Sequence, residues 1–81
     1  MTENYTLQEQ VFRTFLEKPH LGPSEMTKYL GANYNSIKAI YSKLNEEGLL
    51  LREGRGKYMP NYTGIILYLI KKIDLLDKSL K

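Results

Sequence analysis

Apolar positions along this chain change period several times, and glycine or proline marks each change. Leu7, Val11, Phe12, Phe15 and Leu16 form one stripe at helical spacing. Thr6-Leu7-Gln8-Glu9 opens that stripe as a capping box: the Thr6 hydroxyl accepts from the Glu9 amide while the Glu9 carboxylate reaches back. Lys18-Pro19 closes it, because the residue before proline is pushed out of the α region. His20-Leu21-Gly22-Pro23 follows as a connector in which Leu21 is expected to form a short edge strand. A second, shorter helix is expected from Pro23 or Ser24 to Leu30, burying Met26, Tyr29 and Leu30. Proline suits its first turn, and Glu25 there complements the positive end of the dipole. Gly31 then stands where a left-handed turn between two helices needs a residue without Cβ.

The third helix is expected to start at Asn33, a good N-cap, and to stop at Gly48. Ile37, Ile40, Tyr41 and Leu44 fall at i, i+3, i+4 and i+7, which assigns them to the core. Tyr34, Asn35, Ser36, Lys38, Ala39, Ser42 and Asn45 are left pointing outward. A merely solvated face is usually filled with Glu and Lys, yet acidic residues are missing here until Glu46-Glu47. The chemistry instead suits readout of base edges: Asn pairs bidentately with adenine, Lys donates to guanine acceptors, and an alanine methyl can meet the thymine methyl.

After Gly48, Leu49-Leu50-Leu51-Arg52 and Lys57-Tyr58-Met59 are expected to pair as two short strands around a four-residue turn, Glu53-Gly54-Arg55-Gly56. Arg55, flanked by glycines, is then free at the tip. Such an arginine suits a narrow minor groove, with Arg52 and Lys57 within reach of phosphates.

From Leu30-Gly31 to Tyr58 the chain resembles the core of bacterial and archaeal winged helix-turn-helix regulators. The shared pattern is Leu-Gly, a polar cap, a reading helix, Leu44-Asn45-Glu46-Glu47-Gly48-Leu49-Leu50, and a basic glycine wing. With the first helix included, the resemblance covers roughly residues 6 to 60. It implies a mainly α fold with a small β-hairpin, and binding of duplex DNA by a homodimeric transcription regulator, often a repressor. In helix-turn-helix proteins the first turns of the second helix enter the major groove, which points to Tyr34, Asn35 and Lys38 for base contacts and to Ser36 and Ser42 for phosphates. The wing is short and carries Glu53, so the third helix would hold most of the specificity. Winged helices also serve as protein-interaction modules, and a weakly specific architectural DNA-binding protein is a further alternative.

The remaining segment, 61–81, follows a different rule from the domain at 1–60. Tyr62, Ile66, Leu69, Ile73, Leu76 and Leu80 step by 4, 3, 4, 3 and 4, a heptad seam of nearly three repeats. Ile65, Leu67, Tyr68 and Ile70 widen the apolar surface at its start, so the first two turns are expected to pack on their own domain. The later seam is expected to pair with a second copy. A membrane-surface helix is disfavoured by Asp74 and Asp77 among the lysines and by the absence of tryptophan.

Composition then bounds the chemistry. The chain has 81 residues, enough for one small core. It contains no cysteine, which removes disulfides, thiolate metal sites and cysteine nucleophiles together. The single histidine, His20, has no second histidine to share a metal or a proton with. No cofactor, metal site, small-molecule ligand or catalytic constellation is suggested, so an enzyme is not expected. The amino terminus is polar and acidic, and no apolar run approaches the ~20 residues a bilayer span requires, so the reading is of a cytoplasmic protein. Two Asn-Tyr-Thr triplets, at Asn4 and Asn61, match the glycosylation pattern, which without a secretion signal is read as coincidence. Net charge is +3, and its distribution says more than its size. Residues 1–32 carry three Lys/Arg against four Glu, a net of −1; residues 33–60 carry five against three, a net of +2. Residues 61–81 carry four Lys against two Asp, again +2. The excess over residues 33–60 lies on the segment expected to face phosphates.

Overall fold

The computed structural model describes the backbone of residues 5–80 and the side chains of residues 5–76. The fold is mainly helical with one small hairpin, in the order α1 (Leu7–Glu17), α2 (Pro23–Leu30), α3 (Tyr34–Glu46), β1 (Leu50–Gly54), β2 (Lys57–Pro60) and α4 (Tyr62–Leu80).

Local signals set most of the boundaries. Thr6 Oγ1 accepts from the Glu9 amide at 3.1 Å and Glu9 Oε1 accepts from the Thr6 amide at 2.9 Å, so the capping box forms in full. Gly31 adopts φ 65°, which turns the chain between α2 and α3. Asn33 caps α3 by accepting from the Ser36 amide at 3.2 Å. Gly48, at φ 82°, ends the passage out of α3.

One core gathers these elements: Val11 and Phe15 from α1, Met26 from α2, Ile37, Tyr41 and Leu44 from α3, Leu49 and Leu50, and Ile65 from α4. At its centre the Tyr41 ring meets Phe15 edge-on at 5.8 Å and Tyr58 at 5.0 Å. Its hydroxyl donates to the Leu21 carbonyl at 2.8 Å. Burial pushes the Tyr41 phenol above its ordinary range, and the Glu25 carboxylate and Tyr58 add to that.

Five expectations need correction. Leu21 is not part of a strand; its carbonyl is taken by Tyr41 instead of a neighbouring backbone. Tyr29 is not on the buried side of α2 but is 57% exposed, with the Lys18 ammonium 5.8 Å from its ring centroid. Leu16 is likewise exposed, one position beyond Phe15, which takes the core site. The hairpin turn is Arg55-Gly56 alone, because Gly54 pairs with Lys57 and the extra residue Glu53 is absorbed as a bulge. Finally, the first two turns of α4 reach the core through Ile65 alone and otherwise stay exposed.

Only Ile65 of α4 is buried among the described residues. The helix is attached at its root: Asn61 caps it, accepting from the Gly64 amide at 3.3 Å, and donates through Nδ2 to the Gly48 carbonyl at 2.8 Å. A Cβ on Gly64 would stand 2.0 Å from the Gly48 carbonyl oxygen, so only glycine permits this approach. Beyond the root, Tyr62, Ile66, Leu69, Ile73 and Leu76 are 51% to 64% exposed; the Leu80 side chain lies outside the described residues. The radius of gyration is 13.8 Å, against roughly 12 Å for a compact chain of this length. No helix among the described residues is long and apolar enough to cross a membrane.

Replacing Tyr41 by Phe removes the partner of the Leu21 carbonyl and is expected to cost about 1–3 kcal/mol, read from the urea midpoint. The pH dependence has a definite sign. Tyr41 holds its proton more tightly when folded than in the unfolded chain, where the phenol ionises near its ordinary 10.0. Stability from this group is therefore intact below that pH and declines as pH rises above it, a decline the Tyr41→Phe variant should lack.

Candidate nucleic-acid interface

The outward face of α3 is assembled as the sequence suggests. Tyr34, Asn35, Ser36, Lys38, Ala39 and Ser42 are all exposed. Asn45 departs from the expectation: it is half-buried, and its Nδ2 donates to the Leu50 carbonyl at 2.8 Å, tying the end of α3 to β1. It is a structural residue.

Strand alternation decides what the hairpin presents. Leu50 pairs with Pro60, Leu51 with Met59, and Arg52 with Tyr58. Leu50 and Pro60 are buried and Tyr58 reaches Tyr41, so Arg52 shares the strand face turned towards the body. Its Nε donates to the Gly54 carbonyl at 3.2 Å, which lays the guanidinium along the hairpin. Leu51 and Met59 occupy the opposite face and are exposed.

These placements bring α3 and the hairpin together across one concavity of about 510 Å³. Tyr34 and Lys38 line it from α3, Arg52, Arg55 and Tyr58 from the hairpin, and Pro23 and Ser24 from the start of α2. Three cationic side chains thus share this surface, and no carboxylate of the described residues lines it. Like charges gathered without acids repel one another. A polyanion bridging them removes that cost.

Not every candidate converges here. Asn35, Ser36, Ala39 and Ser42 are exposed on α3 but lie outside this concavity. Lys57 lines a different one, of about 570 Å³, on the side of the connector, in company with His20, Glu25 and Glu53. Those carboxylates make that side a poor phosphate surface. Arg55 and Gly56, at the tip, and Tyr58 on β2 border both.

Ser24 and the opening turn of α2 are members of the concavity that the sequence did not reveal. The α2 start is brought there by Gly22, at which an added Cβ would stand 2.5 Å from the Gly56 carbonyl oxygen. The hairpin tip therefore rests on the backbone of the connector. Glu25 Oε1 accepts from the Gly22 amide at 3.0 Å, which spends that carboxylate on the helix start, outside the cationic concavity.

Comparison of the chain with protein-family models, curated proteins and solved structures finds no match. The reading of this surface rests on its own chemistry.

Replacing Gly22 by Ala should part the hairpin tip from the connector. The expected result is an unchanged helical circular-dichroism signal, a stability loss on the order of 1–3 kcal/mol, and displaced amide resonances for residues 54–57. Hairpin resonances that stay in place would contradict the close approach.

Proposed function

We propose that this chain binds double-stranded DNA as a homodimer of the winged helix-turn-helix type. In this reading α3 enters the major groove and the hairpin serves as the wing, on the minor groove or the adjacent backbone. The observation that carries the reading is the acid-free concavity in which Tyr34 and Lys38 of α3 face Arg52 and Arg55 of the hairpin. A groove-bound helix needs cations beside it to engage the flanking phosphates, and this arrangement supplies them from a separate element.

Roles divide along the geometry. Lys38 and Asn35, with Tyr34, stand near the start of α3, where base edges are met. Ala39 offers a methyl, and Ser36 and Ser42 suit phosphate oxygens. Arg52 and Arg55 supply charge from the hairpin, while Lys57 is placed for a lesser part beside Glu53. The exposed seam of α4 is where a second copy would join. A two-fold dimer presents two copies of α3 to half-sites about 34 Å apart. The role that suits such a protein is a transcription regulator, acting by occluding a promoter.

If Lys38 meets a base edge, Lys38→Ala costs on the order of 1–3 kcal/mol and relaxes the preference at one position of the site. Arg55→Ala weakens all duplexes alike and lowers the salt slope by about one, as expected for a phosphate contact. Fluorescence anisotropy on a selected duplex and on scrambled duplexes separates the two effects. Affinities unchanged in both variants would remove DNA from this surface and leave a protein partner as its occupant.

A further inference from the structure

The exposed part of α4 has a more specific pattern than apolar spacing. With the seam residues set in a heptad, Ile66, Ile73 and Leu80 take position a and Tyr62, Leu69 and Leu76 position d, so the two central a–d pairs are both isoleucine with leucine. Isoleucine at a with leucine at d favours two parallel strands, because the β-branched side chain fits the a-layer geometry of that assembly. The reverse assignment, or isoleucine at both, shifts preference to three or four strands.

The flanking positions point the same way. Position g carries Ile65, Lys72 and Ser79; position e carries Thr63, Ile70 and Asp77. In a parallel pair, each g residue faces the e residue five positions later on the partner helix, which matches Lys72 with Asp77 twice by symmetry. An antiparallel pair sets g against g and e against e. No acid is present at any g position and no base at any e position, so no antiparallel register pairs opposite charges. Within one protomer, the Lys72 ammonium rests 5.5 Å from the Tyr68 ring centroid, a contact its flexible stem can exchange.

The fold leaves this seam accessible. The protomer's own body takes positions f and g of the first turn, through Gly64 at the Gly48 carbonyl and buried Ile65. The a and d residues from Ile66 to Leu76 remain more than half exposed. With Tyr62 and Ile70, about half or more exposed, they form one continuous apolar stripe along the helix.

We infer that α4 pairs with α4 of a second copy as a parallel, two-stranded coiled coil, with Ile66 and Ile73 in its a layers and Leu69 and Leu76 in its d layers. This rests on the reading of the chain as a homodimer and adds its orientation. Both bodies then lie at the same end of a coil roughly 28 Å long, at 1.5 Å per residue. Their two α3 helices are carried at that same end of the dimer.

Because the chain contains no cysteine, a single introduced thiol reports the orientation without interference. In the full-length Leu76→Cys variant, mild oxidation should convert the protein rapidly to a disulfide-linked dimer, since d residues of parallel strands face each other. The Asp74→Cys variant, with its thiol in outward position b, should cross-link far more slowly. Light scattering on the unmodified protein should give twice the 9.4 kDa chain mass. Lys72→Glu should weaken the dimer by on the order of tenfold, and adding Asp77→Lys should restore it. A dimeric mass in which Leu76→Cys cross-links no faster than Asp74→Cys overturns the parallel orientation while leaving the dimer standing. A monomeric, trimeric or tetrameric mass overturns the two-stranded coil, and duplex binding by the single body can then be measured independently.

Discussion

From the middle of α3, the Tyr41 hydroxyl donates to the Leu21 carbonyl, while its ring lies against Phe15 of α1 and Tyr58 of β2. Four separate stretches of chain are thereby fixed around one fully buried side chain. The functional consequence is geometric. Tyr58 pairs with Arg52 across the hairpin, and Leu21 precedes Gly22, on which the hairpin tip rests. Securing Tyr41 thus fixes the hairpin relative to α3, and with it the distance over which Lys38 and the hairpin arginines share one concavity. A phenol is suited to this because it fills core volume and also satisfies a carbonyl that the missing edge strand would otherwise leave without a partner.

Much of the local structure was legible in the sequence because it depends on neighbours in the chain. The Thr6–Glu9 box, the Asn33 cap, and the stops at Gly31 and Gly48 each rest on groups within a few residues of one another. The features that escaped depend on residues far apart. Nothing near Leu21 indicates that its carbonyl will be taken by a side chain twenty positions away. Gly22 and Gly64 have ordinary spacing in the sequence, yet each is required because a distant carbonyl oxygen, of Gly56 or Gly48, occupies the space of a Cβ. The hairpin turn is ambiguous for a local reason: Glu53 reads equally well as part of a longer loop or as a bulge, and only strand pairing decides between them. Asn45 has the composition of a readout residue but closes the α3–β1 junction.

The candidate surface was legible in part. Periodicity puts Tyr34, Asn35, Lys38 and Ala39 outward, and they are outward. It does not say that Arg52 joins Tyr34 and Lys38 while Lys57 joins His20 and Glu53, since that partition depends on how the hairpin is set against α3 and the connector. In α4 the helical spacing is clear, but the small body has less surface to offer than expected. Among the described residues the core of nine takes a single side chain from that helix, Ile65, and the seam beyond it is left facing outward. The basic concavity and the apolar seam are therefore two exposed surfaces of different chemistry on one small fold, and the proposed function gives the first to a polyanion and the second to a second copy.

Whether the cationic concavity is a DNA surface is decided by the affinity of the unmodified protein for a randomised duplex, followed by anisotropy across a salt series with a single-stranded control. Groove binding by α3 predicts preferential duplex binding that weakens steeply as salt rises, with a linear log–log slope reporting the phosphates engaged. Absence of duplex binding at low salt, or affinity indifferent to salt, would contradict it.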